Sequence, residues 1–77
     1  MEKKLTMPRL KPDMETGVLC AWLKEPGESY KKGDVLYEVE TDKVVSQVEA
    51  TEDGVIRQVL AEEGSEVPAG QAVAVVE

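Results

Sequence analysis

Apolar and polar positions alternate in short bursts along the chain rather than at helical spacing. Val35, Tyr37 and Val39 keep a period of two against Glu38 and Glu40, which predicts a strand with one buried face. Val44, Val48 and Ala50 alternate less cleanly with Ser46 and Glu49. Strand-length runs also occupy 17–24, 55–61 and 71–76, so five strands are predicted, with 35–40 and 44–50 the central pair. Turn chemistry separates them at Glu25-Pro26-Gly27, Lys32-Gly33-Asp34, Thr41-Asp42-Lys43, Glu52-Asp53-Gly54, Glu62-Glu63-Gly64 and Pro68-Ala69-Gly70. Twelve Val against six Leu and no Phe reinforce the choice, because β-branched side chains pack well on a pleated surface. The expectation is an all-β chain with the spacing of a sandwich or barrel.

Sliding the sequence by 37 residues aligns 17–40 with 54–77 without a gap. Eight of these 24 positions are identical, among them the pairs Gly17/Gly54, Gly27/Gly64 and Gly33/Gly70, which are expected at turns where glycine alone takes positive φ cheaply. Apolar character is kept at Leu19/Ile56, Trp22/Val59, Tyr30/Val67 and Leu36/Val73. Each half is too small to bury its own apolar face, so two similar sheets packed about a pseudo-twofold axis are predicted. Two unrelated hairpin pairs with similar turns would be the alternative. If the repeat is real, the turn carrying Asp42 and Lys43 lies at the pole opposite both chain ends.

Composition narrows the function. Seventy-seven residues make one domain, 1–77, with Met1 to Lys4 as a short leading tail. Sixteen acids against nine Lys and Arg give a net charge of −7, a poor match to nucleic acid or an anionic membrane. The chain has no His and a single Cys20, so neither a nucleophile-and-base pair nor a metal site is expected, and the cytoplasm is the expected compartment. No apolar run approaches the roughly 20 residues of a membrane span. Trp22 could be a binding platform, but its repeat partner Val59 makes a core position the better reading. Lys31 and Lys32 read as ordinary solvated turn residues, and Cys20 as a packed thiol without a role.

Lys43 differs from these. It is the one base among the six acids Glu38, Glu40, Asp42, Glu49, Glu52 and Asp53 of the 38–53 segment. A turn lysine is usually a solvated surface group, yet a primary amine between two strands is also held away from the body by rigid elements. There a modifying enzyme or a partner's active site can reach it. Such an arrangement suits a tether.

On four segments the sequence resembles the biotinyl/lipoyl carrier domain family, and more closely its lipoyl branch. They are Met7-Pro8-Arg9-Leu10-Lys11-Pro12-Asp13-Met14-Glu15-Thr16-Gly17, Lys32-Gly33-Asp34-Val35-Leu36, Glu40-Thr41-Asp42-Lys43-Val44 and Glu52-Asp53-Gly54-Val55-Ile56. The Glu-Thr-Asp-Lys turn is the specific element. The resemblance implies a flattened β-barrel of two four-stranded antiparallel sheets with internal quasi-twofold symmetry, and lipoic acid joined by an amide to Lys43. It also implies that Glu40, Thr41, Asp42 and Val44, with Asp13 in the 10–16 loop, take part in recognition by partner enzymes. Lys11 and Asp13 could equally be plain turn residues, and Asp42 could serve the turn's own backbone. Lipoylated members commonly have Ala where Val44 stands, and biotinyl domains usually place Met on both sides of their lysine.

The implied role is that of a non-catalytic carrier, part of or working with a dihydrolipoamide acyltransferase in a 2-oxo acid dehydrogenase complex of pyruvate or acetoin type. The implied partners are a lipoate ligase or lipoyl transferase, a thiamin-diphosphate-dependent decarboxylase, the acyltransferase catalytic domain and dihydrolipoamide dehydrogenase. The isolated domain is expected to be monomeric. A biotinyl carrier, or an unmodified barrel-sandwich adaptor in which Lys43 stays free, would be the alternatives.

Overall fold

The computed structural model describes residues 2–9 and 12–77. Eight strands form in the order β1 (Lys3–Thr6), β2 (Thr16–Trp22), β3 (Ser29–Tyr30), β4 (Val35–Thr41), β5 (Val44–Glu49), β6 (Gly54–Val59), β7 (Glu66–Pro68) and β8 (Ala72–Val76). They make two four-stranded antiparallel sheets, ordered β1-β8-β6-β3 and β5-β4-β2-β7. This is the all-β barrel sandwich expected. Three strands were not legible in the apolar pattern: β3 and β7 are only two and three residues long, and β1 begins with two lysines. Lys3 and Lys4 therefore belong to the sheet and not to a leading tail. An edge strand is held by backbone bonds to β8 and needs no apolar alternation of its own.

The 37-residue repeat is realised in the hydrogen bonds. Leu19 N donates to Ser65 O (2.9 Å) and Ile56 N to Glu28 O (3.0 Å), while Gly64 N donates to Leu19 O and Gly27 N to Ile56 O, both at 2.7 Å. The offset carries β2 onto β6, β3 onto β7 and β4 onto β8, and β1 occupies the place that β5 holds in the other sheet. Each half thus lends its short strand to the other half's sheet, so neither sheet is complete alone. Gly27, Gly33, Gly64 and Gly70 all have φ near +90° and serve turns as expected. Gly17 and Gly54 do not: they lie in strands and are required by close approach. A Cβ on Gly17 would meet Val39 Cγ1 at 2.7 Å, and one on Gly54 would meet Tyr30 Oη at 2.5 Å.

The repeat pairs also furnish the core: Leu19 and Ile56, Tyr30 and Val67, Leu36 and Val73, and Val39 and Val76 are all buried. Tyr37 and the two methionines Met7 and Met14 join them. The clean alternation read into β4 fails at one point, because Leu36 and Tyr37 are buried consecutively. A bulge between Val35 and Tyr37 opposite β5 turns both inward. Trp22 packs against this core, its ring 4.8 Å from that of Tyr37 and its Nε1 donating to Ala61 O at 2.9 Å. Leu23 and Leu60, identical in the repeat, are nonetheless exposed.

Two pairs of bonds fix the poles. Ala69 N donates to Glu15 O and Gly70 N to Met7 O, so β8 starts beside the residues that lead into β2, at the end of the molecule where β4 finishes. Gly33 N donates to Ala50 O and Lys32 N to Asp53 Oδ1, so β4 starts where β6 starts, next to Glu77. The β4–β5 turn and the described chain ends therefore occupy opposite poles, as the repeat predicts.

Candidate functional site

Thr41 and Val44 pair across β4 and β5, leaving Asp42 and Lys43 as a two-residue turn. Their φ angles are +48° and +66°, the signature of the type I′ turn whose twist matches an antiparallel hairpin. Asp tolerates this left-handed backbone because its short polar side chain can bond locally, whereas Lys has no such relief and costs about 1–2 kcal/mol there. Glycine would fill the second turn position more cheaply. The strained residue is the one carrying the amine.

Lys43 is exposed, and among the described residues no hydrogen bond or ion pair engages its ammonium group. Other cations are committed: Lys3 to Glu52 at 2.7 Å, Arg57 Nε to Glu77 at 2.6 Å, and Lys24 to Glu28 and Asp34 at 3.8 Å each. Lys31 and Lys32 belong to the turn before β4, at the far pole. Of the expected recognition residues, Glu40, Asp42, Val44 and Asp13 are exposed, Val44 by 58%. Thr41 is not available in the same way, because it is buried at 9% exposure with its Cγ2 methyl turned toward Gly17. It supports the turn from beneath. Leu10 and Lys11 of the 10–16 loop lie outside the described residues.

A cleft of about 370 Å³ joins the two regions, lined by Asp13, Glu15 and Thr16 on one wall and Glu40, Thr41 and Asp42 on the other. Beneath it, Met14 is buried against Gly17, which brings the incoming connection directly under Val39 and Thr41. The cleft thus ends at Asp42, the residue before Lys43 in the turn. Sequence reading missed one further part. Strand register places Val45, Glu40, Val18 and Glu66 in a single row across the outer face of the β5-β4-β2-β7 sheet, next to the turn. Only the pairing of β7 with β2 brings Glu66 there, and no local pattern announces it.

Two phenols in the body of the barrel titrate high. Burial pushes the Tyr37 phenol up to about 12, and it raises Tyr30 as well, with Glu52 adding to the effect. Cys20 is half-buried on β2 with its thiol 3.5 Å from Val18 O. Among the described residues no group of three or more Cys, Asp or Glu side chains is arranged to hold a metal ion.

A lysine presented on a rigid hairpin at one pole of a quasi-twofold barrel sandwich defines the carrier domains that hold a prosthetic group on that side chain. The chain belongs to this class: the Biotin_lipoyl family, described as "Biotin-requiring enzyme", matches residues 3–76. Within it the similarity runs to lipoyl domains. A solved lipoyl domain of the 2-oxoglutarate dehydrogenase complex from Azotobacter vinelandii superimposes with a TM-score of 0.79 at 32% identity, covering 96% of this chain and 94% of that one. The dihydrolipoyllysine-residue acetyltransferase component of the pyruvate dehydrogenase complex from Zymomonas mobilis is 42% identical over 97% of the chain. The dihydrolipoyllysine-residue succinyltransferase component of the 2-oxoglutarate dehydrogenase complex from Staphylococcus saprophyticus is 42% identical over 95%. The chain spans only 17% of the length of either relative.

Proposed function

We propose that Lys43 carries lipoic acid in amide linkage and that the domain shuttles acyl groups among the enzymes of a 2-oxo acid dehydrogenase complex. The observation that carries this reading is the exposed amine, engaged by no hydrogen bond or ion pair among the described residues, on a strained two-residue turn in a chain similar to lipoyl domains throughout its length. When attached, the lipoyl group supplies a dithiolane able to accept an acyl group and two reducing equivalents.

The protein's own contribution is mechanical and electrostatic. The β4–β5 hairpin sets where the arm begins, which turns encounters between separate active sites into tethered ones with a high local concentration. The flanking carboxylates of Glu40 and Asp42 and the net charge of −7 steer this pole toward basic entrances on the partners. Thr41 and Gly17 keep the turn seated, while Val44, Val45 and Asp13 offer the surfaces those partners read. The partners in this reading are a lipoate ligase, a thiamin-diphosphate-dependent decarboxylase, an acyltransferase domain and dihydrolipoamide dehydrogenase. Pyruvate or acetoin is the favoured oxo acid on the Met-Pro and Pro-Asp-Met run alone; equal 42% identity to acetyl- and succinyl-transferring relatives leaves that choice to experiment.

Intact mass after incubation with lipoate and lipoate ligase tests the site. Wild type gains one lipoyl group and Lys43→Arg gains none. Transfer to Lys32 in either protein would overturn the assignment, and a biotin increment with a biotin ligase would favour the biotinyl alternative.

A further inference from the structure

The connection from β1 to β2 breaks the pseudosymmetry. Met7 and Ala50 are counterparts, each exchanging two backbone bonds with a turn ahead of the neighbouring strand. Yet ten steps of chain lead from Met7 to Gly17, against four from Ala50 to Gly54. The additional length falls at the Lys43 pole, where its far end forms one wall of the cleft. A loop lengthened in this way wanders unless it is tied, because every unfixed residue retains backbone entropy.

Among the described residues three ties are present. Met14 is buried beside Gly17, and Ala69 N donates to Glu15 O at 2.9 Å. The third is Arg9, whose Nη1 donates to Met14 O at 2.5 Å and lies 3.5 Å from Pro12 O. Arg9 stands on the outgoing limb and Met14 on the returning one, so the guanidinium closes the neck of the loop. A charged donor makes roughly twice as strong a bond as a neutral one, and the planar fork holds its direction as an ammonium does not.

We propose that Arg9 is a positioning residue for the partner-facing surface: by closing this neck it holds Asp13 and the cleft wall in a fixed place beside Lys43. The inference rests on the carrier reading. Arg9 itself does not line the cleft and needs no contact with the partner. Its loss leaves the hairpin turn intact, so the amine is still presented for ligation. What changes is binding to an enzyme that also reads the wall, since the loop must then be ordered at the moment of docking. The effect belongs in KM and not in kcat.

The test uses Arg9→Gln and Arg9→Lys beside wild type. Hydrogen exchange of the amides of Asp13 to Thr16 is expected about tenfold faster in Arg9→Gln, with the β4 and β5 amides unchanged. Lipoylation by the ligase is expected at the wild-type rate. Reductive acylation is measured with pyruvate- and 2-oxoglutarate-decarboxylating components, whichever accepts the wild-type domain. KM for the Arg9→Gln domain is expected to rise about fivefold at constant kcat, with Arg9→Lys in between. Unchanged exchange, or a KM within about twofold of wild type despite faster exchange, overturns the proposal. Failure of wild type to gain the lipoyl group would instead strike the carrier reading, and the exchange data would still decide whether the clamp exists.

Discussion

The two poles of the molecule are built from the same strands and do different things. At one, β4 and β5 are joined by a strained turn bearing Lys43, and a lengthened connection stands beside it. At the other, β8 and β1 pair in the same way but without a turn between them, the equivalent connection is four steps long, and Lys3 and Arg57 are held in ion pairs with Glu52 and Glu77. Duplication made a symmetric scaffold, and the proposed function draws on the departures from that symmetry. The lesson is that the repeat accounts for the scaffold, while the features without a repeat counterpart set the Lys43 pole apart.

The largest expected effect comes from the two strand glycines, which sit in equivalent places near opposite poles. Gly54→Ala should destabilise by about 3 kcal/mol, since the new methyl meets the Tyr30 ring and the backbone of Glu77. Gly17→Ala should cost about 2 kcal/mol, because the methyl meets the side chains of Val39 and Met14 and no backbone atom, and the Met14 end can swing aside while Val39 gives less. Urea denaturation of both variants measures the difference, and equal losses would mean that the functional pole is as rigid as the other.

Alkaline titration comes next and sharpens the contrast between halves, since Tyr37 has Ala74 as its counterpart. The folded protein holds the Tyr37 proton up to about 12, above the unfolded value of 10.0. Stability from this group is therefore complete below pH 10 and lost as the pH climbs toward 12, by about 2–3 kcal/mol in all. In Tyr37→Phe that share of the alkaline loss, followed by thermal melts, should vanish.

Smaller effects belong to the turn. Lys43→Gly should stabilise the domain by about 1 kcal/mol by relieving the positive φ, while abolishing any gain in mass with lipoate ligase. A loss of stability on that substitution would show that the turn carries no strain. Smallest of all, Val44→Ala should change the ligation rate by less than about twofold, because the exposed valine only borders the amine. A larger change in initial rates would promote Val44 to a determinant of recognition.

Much of this was readable along the chain because glycine, β-branched residues and turn chemistry act locally. The constant 37-residue offset revealed the duplication, and the turn motif singled out Lys43. Residues whose importance depends on what lies across the barrel stayed hidden. Tyr30 reads only as an apolar position shared with Val67 until β3 pairs with β6 and sets its ring against Gly54. Thr41 reads as part of an exposed turn until the fold buries it over Gly17.

By itself, then, the sequence determined the strand character, the duplication and the position of the presented amine, since each follows from backbone preference and spacing within a short segment. Tertiary structure alone decided which strands the two halves exchange, that Glu66 and Val18 share a row with Val45, and that Arg9 ties a loop shut beside the turn. Those facts depend on register and crossover between segments far apart in the chain, and no local preference encodes them.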